Sequence, residues 1–419
     1  MVTISSPPAL TVLAAPADHS SSVTLLCEFL LPLPPSCIEY VPDCEGLFVV
    51  GTYQLEPEES VESALAVSEE PHEQLRNGSL GLFELQKSGQ LIQHDFFPCK
   101  SAIYDLHFLH EAKQTFAAVS STGSISFYRV EKSESKGTTA FQIVSLFDAQ
   151  LFSDQTIVTF FTFLPPAGVE KFGPLIAATT NDGGVYLIRY NLEAKFVELI
   201  NEGEPVHRHL LMGGPDNAWC CAFYTDNITS SVYSGGDNSE LVRTKFDLEA
   251  TDRNTFSSEK STHKFCTAGV TAILPLPSSV SDDSSLLLTG SYDDRVRLYS
   301  IGHKKELTNL YLGGGVYRLK IIRRWGSSFL ILACCMHAGT KLLEVSEERD
   351  NFQIRIVGYL NVPEDSGDNY CYAASIVSGV FVSPLSNDDD GEMRVDQVFV
   401  SGTFVDKKLT TWRYKTERS

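Results

Sequence analysis

No apolar run in this chain reaches the ~18 residues that a membrane-crossing helix needs, and no basic stretch leading into an apolar core opens it. Neither a membrane span nor a secretory signal is expected, and the reading is of a soluble, cytoplasmic protein. The ten cysteines include adjacent pairs at Cys220-Cys221 and Cys334-Cys335 but no CxxC pair. That spacing excludes a zinc knuckle, so no metal site is expected and the thiols should be reduced and mostly buried. Positive charge is scarce: 33 Lys and Arg stand against 53 Asp and Glu, a net charge of -20. Nucleic acid, which is bound largely through Lys and Arg on phosphates, is not an expected partner. A cationic partner fits the charge, as does an acidic surface that serves solubility alone. The catalytic signatures are missing too: there is no GxSxG nucleophile elbow, no HExxH, no P-loop and no GxGxxG after a strand, so no cofactor is expected. Nor does any segment hold a 3.6-residue apolar period for about three turns, which leaves a helical fold without support.

What is present is strand pattern in quantity. The 419 residues are 43% hydrophobic and 21% charged, enough apolar material for two or three domains or one large all-β structure. The stretch Leu286 to Tyr299, LLLTGSYDDRVRLY, reads as an apolar strand, a tight turn on Ser291, Tyr292, Asp293 and Asp294, and a second strand alternating Val296 and Leu298 with Arg295 and Arg297. A turn Asp that accepts from nearby amides holds such a hairpin closed. Related elements recur in SGGDNSELVRTKFD, SGTFVDKKLTTW, TTNDGGVYLIRY and SSTGSISFYRV. Recurrence at roughly 45 to 60 residues, four strands at a time, is the signature of a β-propeller. Six full groups and a last group of three strands can be laid out; the unpaired strand Val23 to Phe29 completes the last one and removes the exposed edge. The expectation is a seven-bladed WD-type propeller over residues 22–416, closed by pairing of N- and C-terminal strands, with six or eight blades as alternatives. Residues 1–21, rich in Ser, Pro and Ala, are expected to be a flexible lead-in, and about 56–78 an acidic loop insertion.

Candidate chemistry falls on strand ends and turns. Tyr53 ends a strand in the first group; His207 and His209 precede Trp219; Asp237 sits in the following hairpin turn; Cys335 and His337 occupy the place that GSYDD holds one group earlier. Trp219, Gly269, Tyr317 and Tyr372 precede inner strands and should lie near the central channel. In WD-type blades a His, a Ser or Thr, a turn Asp and an aromatic form a hydrogen-bonded set. His263 with Ser291 and Asp293 suits that role, as does His207 or His209 with Ser234 and Asp237. His337 stands where the turn Asp would be, as either a packed turn residue or a functional one. Cys335 reads more readily as a buried strand residue than as a nucleophile.

GTYQL (Gly51 to Leu55), YSGGDN (Tyr233 to Asn238), TGSYDD (Thr289 to Asp294), GGGVYRLK (Gly313 to Lys320) and CMHAG (Cys335 to Gly339), in that order, resemble the WD-repeat diphthine methyl ester hydrolases of the diphthamide pathway. The likeness extends from about Cys27 to Tyr414. It implies an enzyme that removes the methyl ester of methylated diphthine on translation elongation factor 2, leaving a carboxylate for amidation. Two positions depart from the family pattern: Asn217-Ala218-Trp219 replaces Glu-Ala-Trp, and Tyr317 replaces a tryptophan after GGGV. Ester hydrolysis needs a base, an attacking atom and oxyanion donors. His337 is the expected base, acting on water, a hydroxyl or a thiol such as Cys335, with Tyr292 or Tyr53 as hydroxyl donor. Asp237 and Asp293 would orient a histidine or attract substrate, and Trp219, Tyr317 and Tyr372 would form an aromatic wall for its trimethylammonium. The protein is expected to act as a monomer. The alternative is a non-catalytic scaffold or adaptor, for example in vesicle trafficking.

Overall fold

The computed structural model describes residues 20–56, 76–135, 138–225, 230–248, 255–260, 266–277, 285–348, 351–363, 367–377 and 397–415. The chain folds as a seven-bladed propeller whose blades are antiparallel sheets of four principal strands. The innermost strands are Pro35–Tyr40, Ile103–Phe108, Val158–Phe163, Ala218–Thr225, Val270–Leu276, Arg318–Trp325 and Cys371–Ile376, and they neighbour one another in that order around the central channel. Blade 7 is composite: Val23–Leu30 forms its outer edge by pairing antiparallel with Lys408–Tyr414, so the ring closes as expected. The expected lead-in, the acidic insertion and His263 lie largely or wholly outside the described residues. Arg76–Leu85 is strand from its first residue, its start pairing with Gln54–Leu55, so sheet occupies the end of the span read as insertion. A helix, Pro166–Phe172, also stands between the first two strands of blade 3, where Pro at the first helical turn suits its start.

Each blade buries both faces against its neighbours, and this is why the middle strands are buried almost throughout. Leu47–Thr52, Thr115–Ser120, Leu175–Thr180 and Ser230–Gly236 are buried at every residue. Inner strands differ: in six blades a register shift leaves one extra residue near the start, namely Ser36, Tyr104, Thr159, Trp219, Thr271 and Tyr372. A bulge bends the strand and re-aims the side chain it carries. Three of these six residues are large aromatics, and all three reach the mouth of the channel.

The blade-locking set is present in blade 4 with one change. His209 is fully buried, its Nε2 is 3.0 Å from Ser234 Oγ and its Nδ1 is 3.0 Å from Asn238 Oδ1. The turn partner is therefore Asn238, not Asp237. Burial lowers the His209 pKa, so the neutral ring serves the set. His209→Ala, which leaves Ser234 without its ring partner, is expected to cost about 1–3 kcal/mol, read as a lower urea midpoint at unchanged slope. In blade 5, Asp293 accepts from Arg297 Nη1 and Nη2 at 2.8 and 2.7 Å and from the Thr267 amide at 2.9 Å. Ser291 Oγ accepts the Asp293 amide at 3.1 Å and donates to the Ala268 carbonyl. The carboxylate of Asp293 is thus committed to its own blade.

Candidate functional site

The register of the hairpins fixes which turn residue faces the channel. Gly235↔Leu241, Gly290↔Val296 and Cys334↔Thr340 are equivalent pairs, each six residues apart. Two residues beyond the first member of each pair stand Asp237, Tyr292 and Met336; three beyond stand Asn238, Asp293 and His337. Asp237 therefore corresponds to Tyr292, not to Asp293, and is released from the locking role. Glycines fill the gaps between these turns. A Cβ on Gly269 would lie 2.9 Å from Asp237 Oδ1 and 3.2 Å from Tyr292 Cδ2, and one on Gly315 would lie 2.6 Å from Met336 Sδ and 3.2 Å from Tyr292 Cδ1. Asp237, Tyr292 and Met336 consequently sit side by side along the rim.

An aromatic lining continues from there. Trp219 packs edge-on to Tyr292 at 6.2 Å between centroids, and its Nε1 donates to Asp237 Oδ1 at 2.6 Å. Asn217 Nδ2 donates to the other carboxylate oxygen at 2.9 Å. Tyr317 packs on Tyr372 at 4.8 Å, Tyr372 on Phe404 at 5.4 Å, Phe404 on Tyr53 at 5.8 Å and Tyr53 on Tyr104 at 5.2 Å. Burial pushes the Tyr292 phenol up, and its neighbours Tyr317, Asp237 and Tyr372 push it further. It stays protonated at neutral pH and can donate a hydrogen bond. Burial also raises Tyr104 and Tyr372. Asp216, next to Asp237, is raised by burial and by that carboxylate.

The turn Cys335–Gly339 is held by its own backbone: the Ala338 amide donates to Cys335 O at 2.9 Å, Gly339 to Met336 O at 3.0 Å and Cys335 to Gly339 O at 2.7 Å. Gly339 has φ 74°, and a Cβ there would meet the Leu360 carbonyl, so only glycine suits it. His337 at the turn's tip is exposed and makes no hydrogen bond or ion pair among the described residues. Cys335 is fully buried, and burial drives its thiol well up, as for a packed strand residue. Of the nine residues expected from the sequence, the structure gathers Tyr53, Trp219, Asp237, Tyr292, Tyr317 and Tyr372 at the channel mouth. His337 adjoins Met336 of that rim, while Asp293 and Cys335 are engaged within their blades.

No family model matches this chain. It is 25% identical to the diphthine methyltransferase of Schizosaccharomyces pombe over 319 residues, covering 75% of this chain and 81% of that protein. It is 32% identical to the human diphthine methyltransferase over 139 residues, which are 32% of this chain and 27% of that protein. This chain is thus similar in sequence to proteins named diphthine methyltransferase. Among solved structures, a chain of the mitotic checkpoint complex superposes with a TM-score of 0.53 at 13% identity, covering 99% of this chain and 98% of that one. At that identity the likeness shows the propeller fold alone.

Beneath the rim lies a charged layer that the sequence reading missed. Arg318, on the inner strand of blade 6, reaches across the channel to place its guanidinium 4.9 Å from the Phe160 ring of blade 3 and 3.9 Å from Asp105 of blade 2. Lys320 reaches blade 1, donating to Ile38 O at 2.6 Å and Glu39 Oε1 at 2.9 Å. His107 bridges Glu39 Oε1 at 3.1 Å and Asp105 Oδ2 at 2.9 Å. The available signal was alternation: Asp105 and His107, like Arg318 and Lys320, are two apart on inner strands and so share a side.

Burial disfavours charge on both His107 and Glu39, yet their partners prevail. Asp105 and Glu39 raise His107 to about 9, and Lys320 and His107 lower Glu39 to about 2. Glu39 has a folded value below its unfolded one, so its contribution is present above about pH 4.5 and is lost as pH falls toward 2. His107 has a folded value above its unfolded one; its contribution is present below about 6.5 and lost as pH rises through 9. Thermal melting across pH should show the network strongest between about 4.5 and 6.5, and His107→Gln should flatten the alkaline side of that profile.

Proposed function

We propose that the channel mouth hydrolyses the methyl ester of a quaternary-ammonium substrate, methylated diphthine on elongation factor 2, with the protein acting in the cytoplasm as a monomer. The observation that carries this reading is the placement of Asp237 between Trp219 and Tyr292 at the edge of the aromatic lining. Aromatic faces attract a trimethylammonium through their quadrupoles, and a carboxylate at the edge adds a full opposite charge. A net charge of -20 favours approach of such a cation. For the chemistry, His337 is the proposed base for an attacking water, and the protonated Tyr292 is the proposed donor to the oxyanion. Water adds to the carbonyl carbon, the bond to the methoxy oxygen breaks, methanol leaves with one proton, and the other proton of the water goes to the base. The names of the relatives favour a second reading, methyl transfer in the same pathway.

One experiment separates the readings. Purified protein is incubated with elongation factor 2 carrying the methylated intermediate, with and without a methyl donor, and the factor's mass is followed. Loss of one methylene unit without donor is expected. Gain of a methylene unit that needs the donor would establish transfer, and no change in either arm would leave a scaffold.

A further inference from the structure

The floor of the channel carries an unmatched positive charge. Arg318 is 8% exposed; its Nη1 donates to the Tyr317 carbonyl at 3.2 Å, while its Nη2 has no hydrogen-bond partner among the described residues and is 3.9 Å from the nearest oxygen of Asp105. Lys320 is engaged by Ile38 and Glu39, and His107 stands between Glu39 and Asp105. The inner strands of blades 3, 4, 5 and 7 bring no Asp, Glu, Lys, Arg or His to this layer. Among the described residues, two carboxylates thus face Arg318, Lys320 and His107, the last kept protonated by those carboxylates, and one positive charge is in excess inside a protein that is strongly acidic as a whole. A buried guanidinium with an unused donor is costly, and an anion at that place would relieve the cost.

Its position says which anion. The guanidinium lies 4.4 Å from the Tyr317 ring, and Tyr317 packs on Tyr372 in the aromatic lining. We propose that Arg318 is the floor of a carboxylate subsite, so that the mouth takes a zwitterion with its quaternary ammonium on the aromatic rim and a carboxylate oxygen on Arg318 Nη2. The inference rests on the proposed hydrolysis in one respect: the carboxylate is the group that cleavage of the ester liberates. Before cleavage the ester carbonyl meets the same donor, and the charge that develops on it is drawn toward the guanidinium. Arg318 therefore favours the acid product over the ester and the transition state over the ground state.

Trimethylglycine is the smallest probe with both groups. Its binding to the full chain is compared by calorimetry with that of its methyl ester and of tetramethylammonium. Wild-type protein should bind trimethylglycine at least about tenfold more tightly than either, as a charge-assisted hydrogen bond provides. Arg318→Met should remove that preference and leave tetramethylammonium binding within about twofold, with Arg318→Lys falling between. Equal binding of the three probes by wild type, no binding of trimethylglycine, or a preference that survives in a folded Arg318→Met would each overturn the subsite. The wild-type comparison needs no variant and stands even where Arg318→Met does not fold. Hydrolysis of the factor-borne ester without any preference for trimethylglycine removes the subsite and leaves the hydrolase reading. The preference without hydrolysis does the reverse.

Discussion

Trp412→Ala is expected to destabilise the folded chain by about 3–5 kcal/mol, the usual cost of emptying a large buried aromatic site. Trp412 is fully buried and stacks on Phe399 at 4.6 Å. Its Nε1 donates to Ser401 Oγ at 2.9 Å, and Ser401 Oγ is 2.8 Å from Thr340 Oγ1 of blade 6. One side chain thereby couples packing within blade 7 to a hydrogen-bonded chain across the blade 6–7 boundary. Its strand also carries the closure, because Leu25 of the N-terminal strand pairs with Trp412 itself. Against a total stability of about 5–15 kcal/mol, such a loss leaves the ring seam measurably open. Trp412→Phe keeps most of the stack and loses only the indole donor, so about 1–2 kcal/mol is expected there. Urea titrations of the two variants decide the matter: equal midpoints would mean that the indole volume does not hold the seam.

The seam was legible in the sequence because its signals are local. Alternation at period two and turn residues at regular intervals placed nearly every strand, and counting strands left Val23 to Phe29 as the partner for the last blade. The one wrong partner in the blade-4 set has an equally local cause. In Gly235-Gly236-Asp237-Asn238 the aspartate draws the eye, yet the pairing Gly235↔Leu241 puts Asn238 at the locking position. A one-residue offset in a turn exchanges the side chain facing the blade for the one facing the channel. That offset moved Asp237 to the rim beside Trp219 and Tyr292, where a carboxylate can meet a cation. Two further features were out of reach. The bulges that turn Tyr104, Trp219 and Tyr372 toward the mouth leave no mark in composition. The encounter of Lys320 with Glu39 joins residues 281 apart in sequence, which only ring closure brings together.

His337→Ala is expected to lower the rate of ester hydrolysis by about 10²–10⁴-fold, the range that loss of a positioned general base produces. The CMHAG turn gives the reason for choosing this residue. At the equivalent place in blade 5, Asp293 is held by Arg297 and Thr267, and at the place in blade 4, Asn238 is held by His209. His337 has inherited the position without the partners: it is exposed, and among the described residues no hydrogen bond or ion pair ties it down. The backbone beneath it is nonetheless fixed by the bonds among Cys335, Met336, Ala338 and Gly339, so the ring projects from a rigid turn. Met336, the residue before it, lies against Gly315 beside Tyr292, so the turn that carries the proposed base borders the rim that carries the proposed oxyanion donor. Because the substrate's cation would be held by Trp219, Asp237 and Tyr372, the loss should fall on kcat, with KM changed by less than about threefold. His337→Gln keeps a polar side chain but cannot take a proton, and it should be as slow as His337→Ala. A rate for His337→Ala within a few fold of wild type would exclude the histidine as base, and a rescued His337→Gln would assign it to substrate positioning instead.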